Sequence, residues 1–440
     1  MENQDEIDRE HLPAPKESST DKFAWKSIGK SLISGILVAL LIVLAKASAE
    51  QASLYQGFQK AAYEWLQARL SAPHRRDELP VMIVDIRELE YKTIEVEGEK
   101  YSLTPREKLI PLIEAVAAQE PKVIAVDVDF SPHKIGFLDP TDPIHFQNLA
   151  KLKVPVFLGI FRSRNRPREL WLGNPQFASL AANVANPDDN RRMFEWTSGA
   201  DGRTELTMCK ALANAFPEEK KLNSYFSWAV QQVSETQTED GRKAGGFLVD
   251  FSPLEALKDT RLKTIDPAVI KDQGWTLLDK AVLIGDGSLY DARDSVIIPV
   301  QGQTKPVPGV YLHAAAAYTL IKSPIYEFTG LARFLLDFVL ALVVLIAVFI
   351  VRIRLDKSRL SFAQTRTTYL FIVIVTIVVI ILGVVFVHKT RVLWDDFAFV
   401  ILGLWFHPPV ESLLSPTKKL LKAVWKAFGA FFVDDSRRLI

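Results

Sequence analysis

Long apolar runs stand near both ends of the chain, and short apolar runs separated by polar stretches fill the region between them. Residues 368–387 carry no charged side chain, and residues 334–351 carry only one, Asp337. Each run is long enough to cross a hydrocarbon core of about 30 Å. Two shorter apolar runs can span with the help of their flanking residues. The pattern predicts four membrane-spanning helices, at residues 28–48, 331–352, 368–387 and 392–410.

The distribution of basic residues predicts how these spans are oriented. The stretch from Arg352 to Arg366 holds five basic residues and one acidic residue. The positive-inside rule therefore places the loop 353–367 in the cytoplasm. Lysines in the N-terminal segment 1–27 and in the tail 413–440 favour the same side. We expect a multi-pass protein with both termini in the cytoplasm.

The large region between the first two spans, residues 50–330, then lies outside the cytoplasm. The apolar run that precedes it ends in "ASA", which resembles a signal-peptidase site. Cleavage after Ala49 is therefore the alternative to an uncleaved first span. Both alternatives export the same region.

Within the exported region, apolar runs of strand length alternate with amphipathic stretches of helical period. The stretch 105–119 has its apolar residues at helical spacing, with Thr104 as the expected N-cap. Strands are predicted at residues 80–86, 122–130, 154–160, 245–253 and 280–287. Further helices are predicted at residues 224–233 and 310–321. This alternation favours βαβ units, and so an α/β domain with a mainly parallel sheet.

Four of the predicted strands carry an aspartate at or near the C-terminal end. They are Asp85, Asp127, Asp250 and Asp286. Ligands of open parallel sheets bind at the carboxyl ends of the strands, so these acids would share one rim if their strands are parallel. Asp129 lies two positions after Asp127 and faces the same side. The alternative is structural, because aspartate at the end of a strand also caps the next turn.

Composition narrows the partners and cofactors. The 53 basic and 52 acidic residues leave no net field that would attract a nucleic acid. Cys209 is the only cysteine, so no intrachain disulfide forms. No cofactor is required by the sequence, although the acidic rim offers the oxygen ligands that magnesium and calcium prefer.

The segment 277–321 resembles the signature block of the CHASE (type 2) domain, an extracytoplasmic sensory domain of bacterial signalling proteins. The block comprises a strand after a lysine, a loop that contains an aspartate, a proline turn, and a Pro-Gly-Val motif that opens a helix. The matching residues are Lys280, Gly285, Asp294, Pro299, Pro308, Gly309, Val310, His313 and Ala314. Two upstream strands and the turn at 186–196 are also similar to the family.

This resemblance implies a sensor in the bacterial inner membrane rather than an enzyme, with an unknown ligand and a homodimeric assembly. Ligand-binding residues are expected on the rim and in the signature block. The candidates are Asp85, Asp127, Asp129, Asp286, Asp291, Asp294 and His313. At the start of a helix, His313 would also respond to pH near neutrality. The alternative is that His313 packs in its helix and bonds a loop carbonyl.

Members of the family typically continue into an output domain such as a kinase or a cyclase. Here the tail 413–440 is basic and amphipathic, a pattern typical of segments that lie on an anionic leaflet or dock a partner. We therefore expect the output to be a separate cytoplasmic protein.

Two other classes stay open. The stretch "VIAVDVDFS" resembles the first motif of haloacid dehalogenase-type phosphatases. That resemblance implies a membrane-anchored phosphohydrolase in which Asp127 attacks phosphorus and Asp129 acts as acid and base. Asp286 and Asp291 would then hold magnesium. The strand 154–160 ends without the serine or threonine that this chemistry needs for phosphate. The third class is a structural or toxic membrane component of a multi-protein system.

Overall fold

The protein is described from a computed structural model in which two compact units are distinguished. One comprises Ser53–Arg333 and Leu382–Asp395, and the other comprises Met1–Ala52, Phe334–Ile381 and Asp396–Ile440. The structure describes residues 53–70, 78–96, 98–131, 136–160, 181–183, 191–198, 204–217, 228–238, 242–263, 266–272, 277–289, 295–300, 303–356 and 391–394, with scattered positions from 370 to 390.

The secondary structure within these residues is a mixture of strands and helices. The strands are β1 (Val81–Asp85), β2 (Lys92–Val96), β3 (Glu99–Leu103), β4 (Val123–Asp127), β5 (Val156–Ile160), β6 (Ala181–Asn183), β7 (Arg192–Ser198), β8 (Thr204–Leu206), β9 (Val230–Gln231), β10 (Ser234–Gln237), β11 (Lys243–Leu248), β12 (Ala281–Gly285), β13 (Ser295–Val300), β14 (Gln303–Pro308), β15 (Tyr326–Phe328) and β16 (Val392–Leu393). The helices are α1 (Ser53–Leu70), α2 (Arg106–Ala117), α3 (Asp142–Leu149), α4 (Met208–Ala213), α5 (Leu254–Asp259), α6 (Pro267–Asp272), α7 (Gly309–Lys322) and α8 (Gly330–Asp356).

A five-stranded sheet in the order β1-β12-β4-β5-β6 forms the centre of the first unit, and all of its strands are parallel. This confirms the predicted α/β fold with a parallel sheet. β12 is the last of these strands along the chain, yet it lies between β1 and β4. On the other side of β1, the Asp85 amide donates to the Leu262 carbonyl at 2.9 Å.

Both faces of the central sheet are buried, which explains why its strands are apolar throughout. Alternate residues such as Ile83, Ala125 and Leu283 join a core with α1, α4 and α7. Their neighbours, such as Val84 and Val126, join a second core with α2 and α3. The sheet is therefore the middle layer of three, and α7 lies on the face toward which residues 85, 285 and 127 point.

The predicted strand at 245–253 does not belong to this sheet. It forms β11, which lies in an antiparallel sheet of order β10-β11-β7-β8. The connection from β10 to β11 is a short hairpin, and a hairpin can join only antiparallel strands. Asp250, which follows β11, is consequently absent from the rim of the parallel sheet, so the expectation that four strand-end aspartates line up was wrong for this residue.

Two local predictions were also wrong. Residues 230 and 231, expected to be helical within 224–233, form strand β9 because they pair with β15 in the three-stranded sheet β16-β15-β9. Helix α2 begins at Arg106 with Pro105 as its N-cap, and no side chain supplies a cap hydrogen bond. Thr104 is buried one position earlier.

The start of α2 is fixed by a buried ion pair. Arg106 and Asp142 are each 2% exposed, and the Arg106 Nε donates to Asp142 Oδ1 at 2.8 Å. The guanidinium also lies 3.9 Å from the centre of the Phe130 ring and donates to the Asp129 carbonyl at 3.2 Å. This pair therefore joins α2, α3 and the segment that follows β4.

Helix α8 coincides with the predicted span 331–352. Several of its apolar side chains are exposed, including Leu335 at 42% and Val343 at 56%. Within the described part of the chain, no helix has the length and apolar composition needed to cross a membrane. The predicted span 28–48 lies outside the described residues. Of 392–410, the described part includes Val392–Leu393, which form β16.

We expect the substitution Asp142→Ala to lower the free energy of unfolding by about 3–5 kcal/mol, because it leaves the Arg106 charge buried without its partner. Urea denaturation of the purified chain, followed by tryptophan fluorescence, measures the loss. The control is Glu255→Ala, which removes the more exposed ion pair with Lys258 at 3.0 Å and is expected to cost less than about 1 kcal/mol. Equal losses in the two variants would contradict the structural role given to Arg106.

Candidate functional site

Three strand ends meet at the carboxyl edge of the central sheet. Gly285, the last residue of β12, is in register with Asp85 of β1 on one side and with Asp127 of β4 on the other. Neighbouring strands lie about 4.8 Å apart, so the two aspartates flank the glycine with backbones separated by about 10 Å. Asp286 follows directly. The expectation that these three acids share one rim is correct in placement.

Asp85 is bound by two arginines and is nearly inaccessible. Its Oδ1 accepts the amide hydrogens of Arg87 at 3.1 Å and of Gly287 at 3.0 Å. Its Oδ2 accepts the Arg87 Nε at 2.7 Å, and Arg261 Nη1 lies 3.8 Å away. The hydrogen bond to Asp85 raises the pKa of Arg87. Asp85 therefore holds two cations at the rim and has little capacity left for a ligand.

Two glycines allow this close packing. A Cβ atom at Gly287 would stand 2.6 Å from Asp85 Oδ2, and one at Gly285 would stand 2.7 Å from Val310 Cγ2 in α7. Any side chain at either position would push the Asp85–Arg87 pair or α7 away from the sheet. The signature glycine at position 285 is thus explained by the contact between β12 and α7.

Asp286 is also engaged, although it is more accessible. Its Oδ2 accepts the hydroxyl of Tyr91 at 2.7 Å, and its Oδ1 accepts the amide of Ser288 at 2.7 Å. Arg87 lies within electrostatic reach of the same carboxylate. Tyr91 is 46% exposed, so this side of the rim faces solvent.

Asp127 differs from the other strand-end aspartates. Asp85, Asp129, Asp250 and Asp286 each accept the backbone amide of the residue two positions later. This is the turn-capping role that the structural alternative predicted. The half-buried carboxyl of Asp127 has no hydrogen-bonding partner among the described residues. Burial and the nearby charge of Asp286 raise the pKa of Asp127 to about 7.

The remaining candidates stand apart from the rim or lie outside the description. Asp129 is tied to its own turn, with Oδ1 accepting the Ser131 amide at 2.8 Å. His313 is 2% exposed in the second turn of α7, and its Nδ1 has no hydrogen-bonding partner among the residues that the structure describes. Burial lowers the pKa of His313 to about 4, which contradicts a response near neutrality and favours the alternative that the side chain packs within the fold. Asp291 and Asp294 lie outside the described residues.

The described residues contain no group of three or more histidine, cysteine, aspartate or glutamate side chains arranged to hold a metal ion. At the rim, Arg87 and Arg261 already neutralise Asp85. The phosphohydrolase alternative gains no support from the geometry, because Asp129, its expected acid and base, is engaged in capping its own turn. The rim instead carries guanidinium donors around Asp85 and, on the other side of Gly285, the carboxyl group of Asp127.

Sequence reasoning missed the cationic half of the rim. Arg87 stands two residues after a strand-end aspartate, a position from which it could have been found. Arg261 could not, because it reaches the rim from the far side of β1, where its neighbour Leu262 pairs with that strand. Arg261 Nη1 also donates to the Tyr311 hydroxyl at 3.3 Å.

We expect Asp127→Asn to flatten the dependence of stability on pH. The raised pKa means that the folded protein retains the Asp127 proton better than the unfolded chain does, so wild-type stability falls as pH rises from about 4 to about 7. The variant should match the wild type below pH 4 and exceed it above pH 7, by on the order of a few kcal/mol. Urea unfolding at a series of pH values measures this difference.

The matched control is Asp259→Asn, which changes an exposed aspartate at the end of α5. It should leave the stability–pH profile unchanged. Asp286→Asn should shift the Asp127 transition to lower pH, because it removes the second cause of the raised pKa. Parallel profiles for the wild type and Asp127→Asn would show that Asp127 titrates normally.

Comparisons with known proteins agree with the resemblance seen in the sequence. A family model described as the CHASE2 domain matches residues 36–352, which is more than half of the chain. Neither the curated proteins nor the solved structures contain a match. The matched region includes the whole central sheet, the rim and α7. The chain therefore belongs to the CHASE2 domain family, a family of extracellular sensory domains.

Proposed function

We propose that this protein is a sensor anchored in the bacterial inner membrane, and that the rim formed by Arg87, Tyr91, Asp127, Arg261 and Asp286 is its ligand-responsive site. Residues 50–330 are the extracytoplasmic part, and both termini lie in the cytoplasm. The signal passes across the membrane to a separate cytoplasmic effector.

The observation that carries this proposal is the unpaired carboxyl of Asp127, inside a domain of a sensory family. Its neighbours at the rim are held by one another, whereas Asp127 has no hydrogen-bonding partner among the described residues. A half-buried carboxyl gains free energy when a partner arrives, because an unmade hydrogen bond at a desolvated group is costly. The rim lies at the carboxyl end of a parallel sheet beside the late strand β12, a position typical of ligand sites.

The charges at the rim indicate a small polar ligand with both acceptor and donor groups. Arg87 and Arg261 offer guanidinium hydrogens to an acceptor such as a carboxylate. Asp127 and Asp286 receive a donor such as an amine or a hydroxyl. A zwitterionic or polyhydroxylated molecule meets both requirements.

Membrane anchoring is supported by the hydropathy of the sequence and by the surface of α8. Exposed apolar side chains recur along this helix and at described positions near it in sequence, which is unfavourable in water. They include Leu335, Val339, Val343, Leu370, Ile374, Ile377, Ile381 and Leu382. We propose that these residues face lipid or another helix, and that the protein acts as a homodimer.

A thermal-shift screen of the full chain in lipid nanodiscs tests the rim. The probes are amino acids, polyamines, sugars and divalent cations, each at millimolar concentration. A probe present at about 100 times its Kd stabilises the folded state by about 2.7 kcal/mol, which is readily detected as a rise in Tm. We expect at least one class to raise the Tm of the wild type but not of Asp127→Asn.

Asp259→Asn is again the control, and it should retain the full shift. If a probe raises the Tm of the wild type and of Asp127→Asn equally, its binding site does not involve Asp127. Release of phosphate from a generic phosphomonoester, lost in Asp127→Asn, would overturn the sensor proposal in favour of a phosphohydrolase.

Reporter fusions test the proposed topology. Alkaline phosphatase fused after residue 200 should be active, because it folds only outside the cytoplasm. The same enzyme fused after residue 360 should be inactive, since the loop 353–367 is proposed to be cytoplasmic. A fluorescent protein that matures only in the cytoplasm should give the opposite pattern. Activity of the phosphatase after residue 360 would contradict the proposed orientation.

A further inference from the structure

We propose that helix α7 is a rigid link that couples the rim to the strands β15 and β16 at the opposite end of the domain, and through them to the start of α8. This inference rests on the proposed function, because it names the path by which a change at the rim leaves the domain. It is carried by the contacts at the two ends of α7.

The N-terminal end of α7 is seated on the rim. Val310 occupies the space that a side chain at Gly285 would fill, directly beside Asp127. Tyr311 accepts a hydrogen bond from Arg261, which in turn lies 3.8 Å from Asp85. A change in the position or charge of the rim therefore reaches the first turn of α7 without an intervening loop.

The body of α7 can transmit such a change because it is packed on nearly every side. Its 14 residues span about 21 Å at 1.5 Å per residue. Twelve of them are buried, including both tyrosines and His313. A helix enclosed in this way moves as a unit, since close-packed neighbours leave no room for local bending.

The C-terminal end of α7 is tied to a buried carboxylate. Ser323, the C-cap residue, donates its hydroxyl to Asp250 and accepts a hydrogen bond from Arg391. Asp250 is 1% exposed, and its amide donates to Thr319 Oγ1 at 2.8 Å. The chain Asp250–Ser323–Arg391 thus binds the end of α7 to the residue that immediately precedes β16.

A small sheet continues the path toward α8. β15 begins three residues after Ser323, pairs in parallel with β16, and pairs in antiparallel with β9. Glu327 in β15 accepts both terminal nitrogens of Arg192, at 2.8 and 2.5 Å, and is 7% exposed. This bidentate pair joins β15 to β7, so β15 and the antiparallel sheet are held in one relative orientation.

The first turn of α8 follows β15 directly. The Thr329 amide donates to the Ala229 carbonyl at 2.9 Å, and Thr329 Oγ1 accepts the Ala332 amide at 3.3 Å as an N-cap. On the other side of β15, Phe328 stacks on Phe386 with ring centres 6.0 Å apart. The start of α8 and the segment around Phe386 are therefore both in contact with residues of this small sheet or next to it.

Hydrogen–deuterium exchange of the full chain in nanodiscs tests the link. Two variants at the contact between α7 and the rim, called rim variants below, disturb the first turn of α7: Tyr311→Phe removes one hydroxyl, and Gly285→Ala pushes on Val310. Each should accelerate exchange in residues 326–333 by roughly tenfold, because these amides depend on the far end of α7. Tyr311→Phe keeps the test decisive if Gly285→Ala does not fold.

The same measurements are repeated with Ser323→Ala, which removes the hydroxyl between Asp250 and Arg391. In that background the rim variants should no longer change exchange at 326–333. The strand β5, remote from α7's two ends, serves as the internal control and should keep its exchange rates in every variant. A general loss of stability would accelerate β5 as well, and that result would overturn the proposal.

The proposal is also overturned if rim variants leave 326–333 unchanged, or change it equally with and without the Ser323 hydroxyl. This outcome is separable from failure of the proposed function, because no ligand enters the measurement. A rim that binds a probe but shows no effect at 326–333 would be a sensor site with a different exit path.

Discussion

The position of β12 between β1 and β4 is the constraint on which the rest of this domain depends. A strand from late in the chain enters the middle of the sheet, and its terminal Gly285 is then in register with Asp85 and with Asp127. Because Gly285 has no side chain, Val310 packs directly on it, and the first turn of α7 is in contact with the sheet. Lys280 at the other end of β12 donates to the Leu79 carbonyl at 2.7 Å and anchors the strand entry. The placement of β12 between β1 and β4 thus accounts for the rim, for the position of α7 and for the signature glycine at position 285.

Hydrogen bonding divides the aspartates at the ends of strands into two classes with different physical roles. Asp85, Asp129, Asp250 and Asp286 all use one oxygen to close the turn after their strand, and this satisfies them locally. Asp127 is followed by Val128, which is buried in the core, and the Asp127 carboxyl does not cap a turn of this kind. Its raised pKa is the consequence of burial without compensation, made larger by Asp286. Among the described strand-end carboxyls, Asp127 is therefore the one that its own turn does not satisfy.

The sequence was sufficient to predict elements whose signal is local. The apolar strands β1, β4, β5 and β12 and the helices α2 and α7 were found because burial on both faces, or on one stripe, fixes their composition. Features that depend on partners distant in sequence were not found. β9 is a strand because it pairs with β15. β11 lies outside the parallel sheet because a hairpin joins it to the antiparallel strand β10. Arg261 reached the rim only because its neighbour Leu262 pairs with β1.

A buried ion pair, Arg106–Asp142, and a partly buried one, Arg192–Glu327, hold elements outside the central sheet in place. Such pairs add little net stability, since the cost of desolvating two charges offsets most of their attraction. Their role is to fix the relative orientation of the elements that they join, because a bidentate or stacked guanidinium permits one geometry where apolar contacts would permit several. An apolar replacement of Arg192 and Glu327 could leave the domain folded and yet allow β15 to slide. If the position of the start of α8 carries the output, as we propose, the loss of a fixed orientation matters more than a loss of free energy.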